Sequence, residues 1–296
     1  MNKERRIAYL ALLVSAIIWG VAPPVIKYTL KYITPTTFLF YRLLIASLIV
    51  VIPLLLKLIK QKPDLKTLLL YVFLGFLCTP LNLLLLFWGI ERTSSIDASL
   101  ISIISPILVI LGGTLFLKER VTKIERIGIT ITVVGTILTV IQPIFDSSVN
   151  FQQNLYGNFL VLSGTFVWVI FTLLTKKVHR EKLDSFLLTG ISFLVGVVVI
   201  YPLFFSERGG FLDQRALPGI FFMAIFSSVI AYFAYVYGLT KIEASEATVF
   251  TYLQPLFSVP LAVILLNERV TLPFIIGAAL ITLGVFVCEY RFKQRS

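Results

Sequence analysis

Ten side chains in this sequence have the types and spacing to line a binding cavity. They are Trp19, Arg42, Asn82, Trp88, Ser102, Trp168, Tyr232, Tyr235, Thr251 and Gln254. Together they supply hydrogen-bond donors and acceptors, one fixed positive charge and flat aromatic faces, which is chemistry for holding a small organic molecule. Groups that would activate a nucleophile or hold a metal are missing from the pattern. His179 is the single histidine and sits in a polar stretch. Cys78 and Cys288 lie in separate apolar runs, with neither metal spacing nor a disulfide framework. No Asp or Glu falls near the centre of an apolar run, so the many serines there have no base beside them. The expectation is no catalytic residue, no metal, no cofactor and no enzymatic activity. There is also no phosphate-binding loop that could couple the chain to ATP.

Several of these residues have two readings. Arg42 lies inside an apolar run, where a charge needs a cavity or a carboxylate. It is either a substrate or gate contact, or half of an ion pair with Glu91 or Asp97. Asp97 and Glu246 each open an apolar run behind serines (Ser94-Ser95 and Ser245). They are either helix-capping residues or gates and coupling groups. Trp19 and Trp168 fall deep in their runs rather than at the ends, where an interfacial belt would put them. That favours cavity lining over plain packing. Pro23 and Pro24, one turn beyond Trp19, should kink or break their helix. Pro106 and Pro255 read as mid-helix hinges, with Ser102, Ser105, Thr251, Tyr252 and Gln254 beside them to satisfy the freed carbonyls or to face substrate.

The elements that position these residues follow from composition. Of 296 residues, 58% are hydrophobic and only 14% charged, against about 25% charged in soluble domains. Lipid is the expected solvent for most of the chain. Apolar runs of spanning length fall at 7–30, 36–56, 67–90, 95–117, 124–141, 155–175, 185–205, 217–238, 244–266 and 272–290. Their continuity predicts helices rather than barrel strands, giving an all-α integral membrane protein with ten transmembrane helices. The first run is too long for a signal peptide and is read as a retained helix. Net charge is +11, which basic cytoplasmic loops explain without a nucleic-acid partner. With the N-terminus inside, 19 Lys and Arg residues fall in inner segments and six in outer ones. Both termini are therefore expected in the cytoplasm, in a multi-pass protein of the cell membrane.

An internal repeat is the most informative pattern. Lys118-Glu119-Arg120-Val121-Thr122 recurs 149 residues on as Asn267-Glu268-Arg269-Val270-Thr271. The same offset, without a gap, aligns Trp19 with Trp168, Lys27 with Lys176, Gly89 with Gly238, Pro106 with Pro255, Gly128 with Gly277 and Gly135 with Gly284. The chain divides into residues 1–149 and 150–296. Each half carries five helices, an odd number, so the second enters the membrane inverted relative to the first. Inverted halves can exchange conformations around a shared midplane site, which is an argument for transport. The paired glycines, two turns apart, read as close-packing positions.

These residues resemble the EamA-type family of the drug/metabolite transporter superfamily. The resemblance rests on Trp19-Gly20, Phe40-Tyr41-Arg42, Asn82 with Trp88-Gly89, Ala98, Pro106, Glu119-Arg120 and Gly128, and on their doubling. It implies ten helices in two inverted five-helix bundles around a central cavity, and export or exchange of small metabolites such as amino acids by a secondary transporter. Ile191 and Ala231 stand where Arg42 and Asn82 would repeat, so a site using those two is asymmetric. The partners expected are a small-molecule metabolite and the lipid bilayer. Passive exchange is favoured over a carboxylate relay. The alternatives are a sugar-nucleotide or lipid-linked carrier of the same superfamily, or an integral membrane transferase.

Overall fold

The computed structural model describes residues 3–117, 123–140, 151–179, 183–207, 212–242, 247 and 250–289. Among these residues all regular structure is helical. The elements are α1 (Lys3–Thr29), α2 (Pro35–Gln61), α3 (Leu65–Arg92), α4 (Ser95–Ser102), α5 (Ser105–Leu117), α6 (Lys123–Val140), α7 (Phe151–His179), α8 (Ser185–Ser206), α9 (Gln214–Lys241), α10 (Gln254–Leu266) and α11 (Leu272–Glu289). Among the described residues, seven stretches are long and apolar enough to cross a membrane: α1, α2, α3, Ser95–Gly113, α7, α8 and α9. Gln254–Leu266 and Leu272–Gly284 are shorter apolar helices. α6 has 18 residues, of which Lys123, Glu125 and Arg126 are charged.

Polarity is distributed inside out. Arg42, Asn82, Asp97 and many Ser and Thr side chains are buried, while Leu48, Ile52, Phe73, Val198, Phe205 and Ile264 are exposed. A soluble protein rarely leaves so much contiguous apolar surface bare. Lipid satisfies that surface, and the polar groups then need protein or a wet cavity.

Short polar residues start the helices. Thr34 accepts from the Thr37 amide (3.2 Å) ahead of Pro35. Asp64, Ser94 and Asp184 do the same for α3, α4 and α8. Lys62 and Asn267 take left-handed backbone at the ends of α2 and α10 (φ 42° and 54°), the conformation that closes a helix C-terminus.

Element bounds recur at the 149-residue offset. α5 (Ser105–Leu117) maps onto α10 (Gln254–Leu266), and α6 (Lys123–Val140) onto α11 (Leu272–Glu289). α3 contains a π-helical turn at Leu77–Leu81 and resumes at Asn82; α9 contains one at Phe222–Ile230 and resumes at Ala231, the matching residue. Packing maps in the same way. α1 lies on the C-terminal half of α9 and α7 on that of α3; α2 packs on α8, and α6 on α11. Each contact maps onto another contact or onto itself at the 149-residue offset. It extends to atoms. Gly89 meets Val161 of α7, and Gly238 meets Leu12 of α1. A Cβ on Gly135 would lie 2.9 Å from the Gly277 carbonyl, and one on Gly284 would lie 2.5 Å from the Gly128 carbonyl. The glycines predicted to allow close packing therefore sit where α6 and α11 cross.

Two sequence expectations change here. α1 runs unbroken through Pro23 and Pro24. Pro106 and Pro255 are not mid-helix: each is the second residue of its segment, in α5 and α10. The break lies just before them, a turn at Ile103–Ile104 in one case and a 3-10 turn at Phe250–Leu253 in the other. A proline in the first turn of a helix gives up an amide with no helical partner, so it starts the segment instead of kinking it. Glu246 lies outside the described residues.

Candidate functional site

Where the two halves meet there is a cavity of about 780 Å³, its open mouth included. Its wall takes Trp19 and Pro23 from α1, Arg42 from α2, Asn82 from α3, Ser102 from α4, Trp168 from α7, Tyr232 from α9, Thr251 from the 3-10 turn and Gln254 from α10. Eight of the ten side chains chosen from sequence thus converge on one space. Trp88 and Tyr235 do not line it. Trp88 sits near the C-terminal end of α3, partly buried against the core, and its carbonyl accepts from Arg92. Tyr235 is fully buried behind the wall, its ring 5.1 Å from that of Trp19 and 5.3 Å from that of Trp168.

The aromatic part of the site is built on the equivalent tryptophans. Trp19 and Trp168 meet edge to face, ring centroids 5.6 Å apart. Two residues at the same place in the 149-residue repeat thus meet in the wall of one cavity. Tyr232 packs edge-on to both, at 5.2 and 5.9 Å. The Trp19 indole donates to the Ser227 carbonyl at 3.1 Å. Ser227 lies in the π-helical turn of α9. A π turn shifts the backbone pairing and leaves carbonyls open to such a donor.

The same turn supplies the partners of Arg42. Its Nε donates to Ser228 Oγ (2.7 Å) and its Nη2 to Ser227 Oγ (3.3 Å), while its guanidinium carbon lies 5.7 Å from the centre of the Phe87 ring. No Asp or Glu among the described residues pairs with it. Of the two readings of Arg42, the ion pair with Glu91 or Asp97 is the one the structure does not form. The Glu91 carboxylate instead pairs with its neighbour Arg92. Ser227 and Ser228 were missed from sequence; the available signal was that they match Cys78 and Thr79, one helical turn before the Asn82/Ala231 pair. Asn82 is partly committed, since its Nδ2 donates to the Gly164 carbonyl at 2.8 Å. Its Oδ1 remains an acceptor. Ser102 Oγ donates to the Ala98 carbonyl, keeping a lone pair for other donors.

Beyond the cavity, the turn between α3 and α4 is held from two directions. Lys27 Nζ donates to the carbonyls of Ile90 (2.8 Å) and Glu91 (2.9 Å), at the C-terminal end of α3. Lys176 treats Leu239 and Ile242 in the same way after α9. At the start of α4, Glu268 accepts from the amides of Ser95 (2.9 Å) and Ile96 (3.0 Å). The acid of the repeated Glu-Arg motif therefore caps a helix of the other half. Asp97 is buried in that first turn, and its amide donates to Ser94 Oγ. Among the described residues no cluster of His, Cys, Asp and Glu could hold a metal.

Comparison with known proteins completes the picture. The family model described as "EamA-like transporter family" matches the chain twice, over residues 6–141 and 155–289. An uncharacterized transporter of Archaeoglobus fulgidus is 31% identical over 284 residues, covering 94% of this chain and 97% of its own. The uncharacterized transporter YyaM of Bacillus subtilis is 25% identical, with 97% of each chain covered. A crystal structure described only as that of a protein superposes with a TM-score of 0.71 at 15% identity, over 98% of both chains. That last likeness concerns the fold alone.

Proposed function

The chain belongs to the EamA-like transporter family, and from that premise we propose that it is a secondary transporter that moves small organic metabolites, such as amino acids, across the cytoplasmic membrane. It acts as an exporter or exchanger by alternating access. In this reading there are ten spans: α4 with α5 forms the fourth, and the 3-10 turn with α10 the ninth. Residues 1–149 and 150–296 are inverted copies with both termini in the cytoplasm.

One observation carries the reading: the cavity is assembled from both halves, and the equivalent Trp19 and Trp168 meet in its wall. A site on the axis between two exchangeable halves is the arrangement that alternating access requires. The recurrence of helix bounds at one offset and the reciprocal packing of α1 on α9 and α7 on α3 support it further. Pro106 and Pro255 lie at the start of the second segments of two interrupted spans, which suits them as hinges, because a broken helix bends at its break. Among the described residues no carboxylate lines the cavity, which favours passive exchange over a proton relay. A single cation in the wall also speaks against a sugar-nucleotide carrier, whose diphosphate would want several.

The experiment is counterflow in proteoliposomes. Vesicles preloaded with one metabolite should accumulate its labelled form through the purified protein, and Trp19→Ala should remove most of that accumulation. Absence of counterflow for every metabolite in a broad panel, from protein shown to be folded, sinks the proposal.

A further inference from the structure

Among the described residues, the cavity lining holds one fixed positive charge and no negative one. Arg42 is 2% exposed, yet its two hydrogen bonds go to neutral hydroxyls of Ser227 and Ser228. Its Nη1 donates to no described residue. No other Lys or Arg among the described residues lines the cavity, and Lys27 is spent on the carbonyls of Ile90 and Glu91. A buried guanidinium without a counter-charge is costly, and proteins pair such groups. Arg42 lines the cavity, and the two serine hydroxyls take up only one N–H each from Nε and Nη2. A planar guanidinium with a free edge matches a carboxylate.

Resting on the transport reading of this cavity, we propose that the solute carries a carboxylate, which pairs with Arg42, and an apolar or aromatic body, which lies against Trp19, Trp168 and Tyr232. Polyanions are disfavoured because there is one cation. Solutes with net positive charge are disfavoured because no described lining residue is acidic. Asn82 Oδ1 and Gln254 accept a donor on the solute, so an amino group beside the carboxylate is compatible.

Tryptophan emission tests this without any transported substrate. The chain has three tryptophans, and Trp88 lies outside the cavity. In a Trp88→Phe variant the emission therefore comes from Trp19 and Trp168. Iodide should quench it about threefold or more better than caesium at matched ionic strength, because the Arg42 field concentrates anions beside the indoles. Benzoate should protect against iodide, whereas benzamide and benzylamine should not. Arg42→Lys should keep the iodide preference and Arg42→Gln should lose it, with helical circular dichroism as the check on folding. If Arg42→Gln does not fold, the wild-type quenching ratio, the protection series and Arg42→Lys decide the matter. Equal quenching by the two ions, or equal protection by benzamide and benzoate, overturns the proposal. Counterflow on the same preparation separates the two readings. Uptake without iodide preference leaves transport standing and removes the carboxylate assignment. Iodide preference with benzoate protection but no uptake retains the anion site and removes transport.

Discussion

At the residue scale, Trp19 and Arg42 share one support, the Ser227–Ser228 step of α9. Trp19 uses the Ser227 carbonyl, and Arg42 uses both hydroxyls. Removing the two hydroxyls together, Ser227→Ala with Ser228→Ala, leaves the guanidinium without neutral partners in the wall. Loss of hydrogen bonds to a charged group costs about 1.5–3 kcal/mol each. We expect a large drop in melting temperature in detergent, partly restored by a carboxylate solute. No restoration would mean that Arg42 does not meet the solute. Trp19→Phe is milder: it keeps the edge-to-face stack with Trp168 and loses only the indole donor, so counterflow should fall while the fold persists. A collapse in thermal stability equal to the loss of transport would assign Trp19 to packing.

At the element scale, the helix ends are tied by charges that come from other helices. Glu268 caps α4 from the loop between α10 and α11. Glu268→Ala should destabilise the protein by about 1 kcal/mol, the ordinary worth of a side-chain cap. A differential melt checks it, and an unchanged midpoint refutes it. Asp184 caps α8 and pairs with Lys57 at 2.7 Å. Burial pushes its carboxyl up, but the Lys57 and Gln61 side chains and the Leu187 amide outweigh that and hold it below the usual carboxylate range. The sign is therefore fixed. The folded form binds this proton less readily than the unfolded chain, so the stabilisation is present above the unfolded pKa and is lost as pH falls through the lowered value. Asp184→Asn should flatten that part of the acid melt. The α6–α11 crossing makes a steric prediction. Gly135→Val would drive side-chain atoms into the Gly277 carbonyl and should cost about 1–3 kcal/mol, read as a lower melting midpoint.

At the scale of the whole molecule, the decisive matter is handedness in the membrane. Lys66 at the start of α3 and Arg215 near the start of α9 are 149 residues apart and both exposed. In a variant lacking Cys78 and Cys288, Lys66→Cys should react with an impermeant thiol reagent only from inside, and Arg215→Cys only from outside. Labelling from the same face would mean that the halves are not inverted, and alternating access by their exchange would fall with it. The measurement is independent of the solute.

The sequence alone determined the lipid solvent, the helical class, the 149-residue repeat and the set of residues worth testing. Each of these follows from composition or from register, which are one-dimensional properties. It also brought Trp19 and Trp168 together as equivalents, though not as neighbours. Only the tertiary structure decided which members of that set share a space. Trp88 and Tyr235 have the same chemistry as the lining residues, and their helical phase and packing turn them away from the cavity. The partners of Arg42 lie 185 and 186 residues away, and which polar group meets a buried charge depends on how α2 and α9 pack, which no local spacing encodes. The prolines illustrate the same limit. Their mid-run position suggested kinks, but whether a proline bends a helix or begins one depends on where the backbone pairing is interrupted, and that is set by the neighbouring helices.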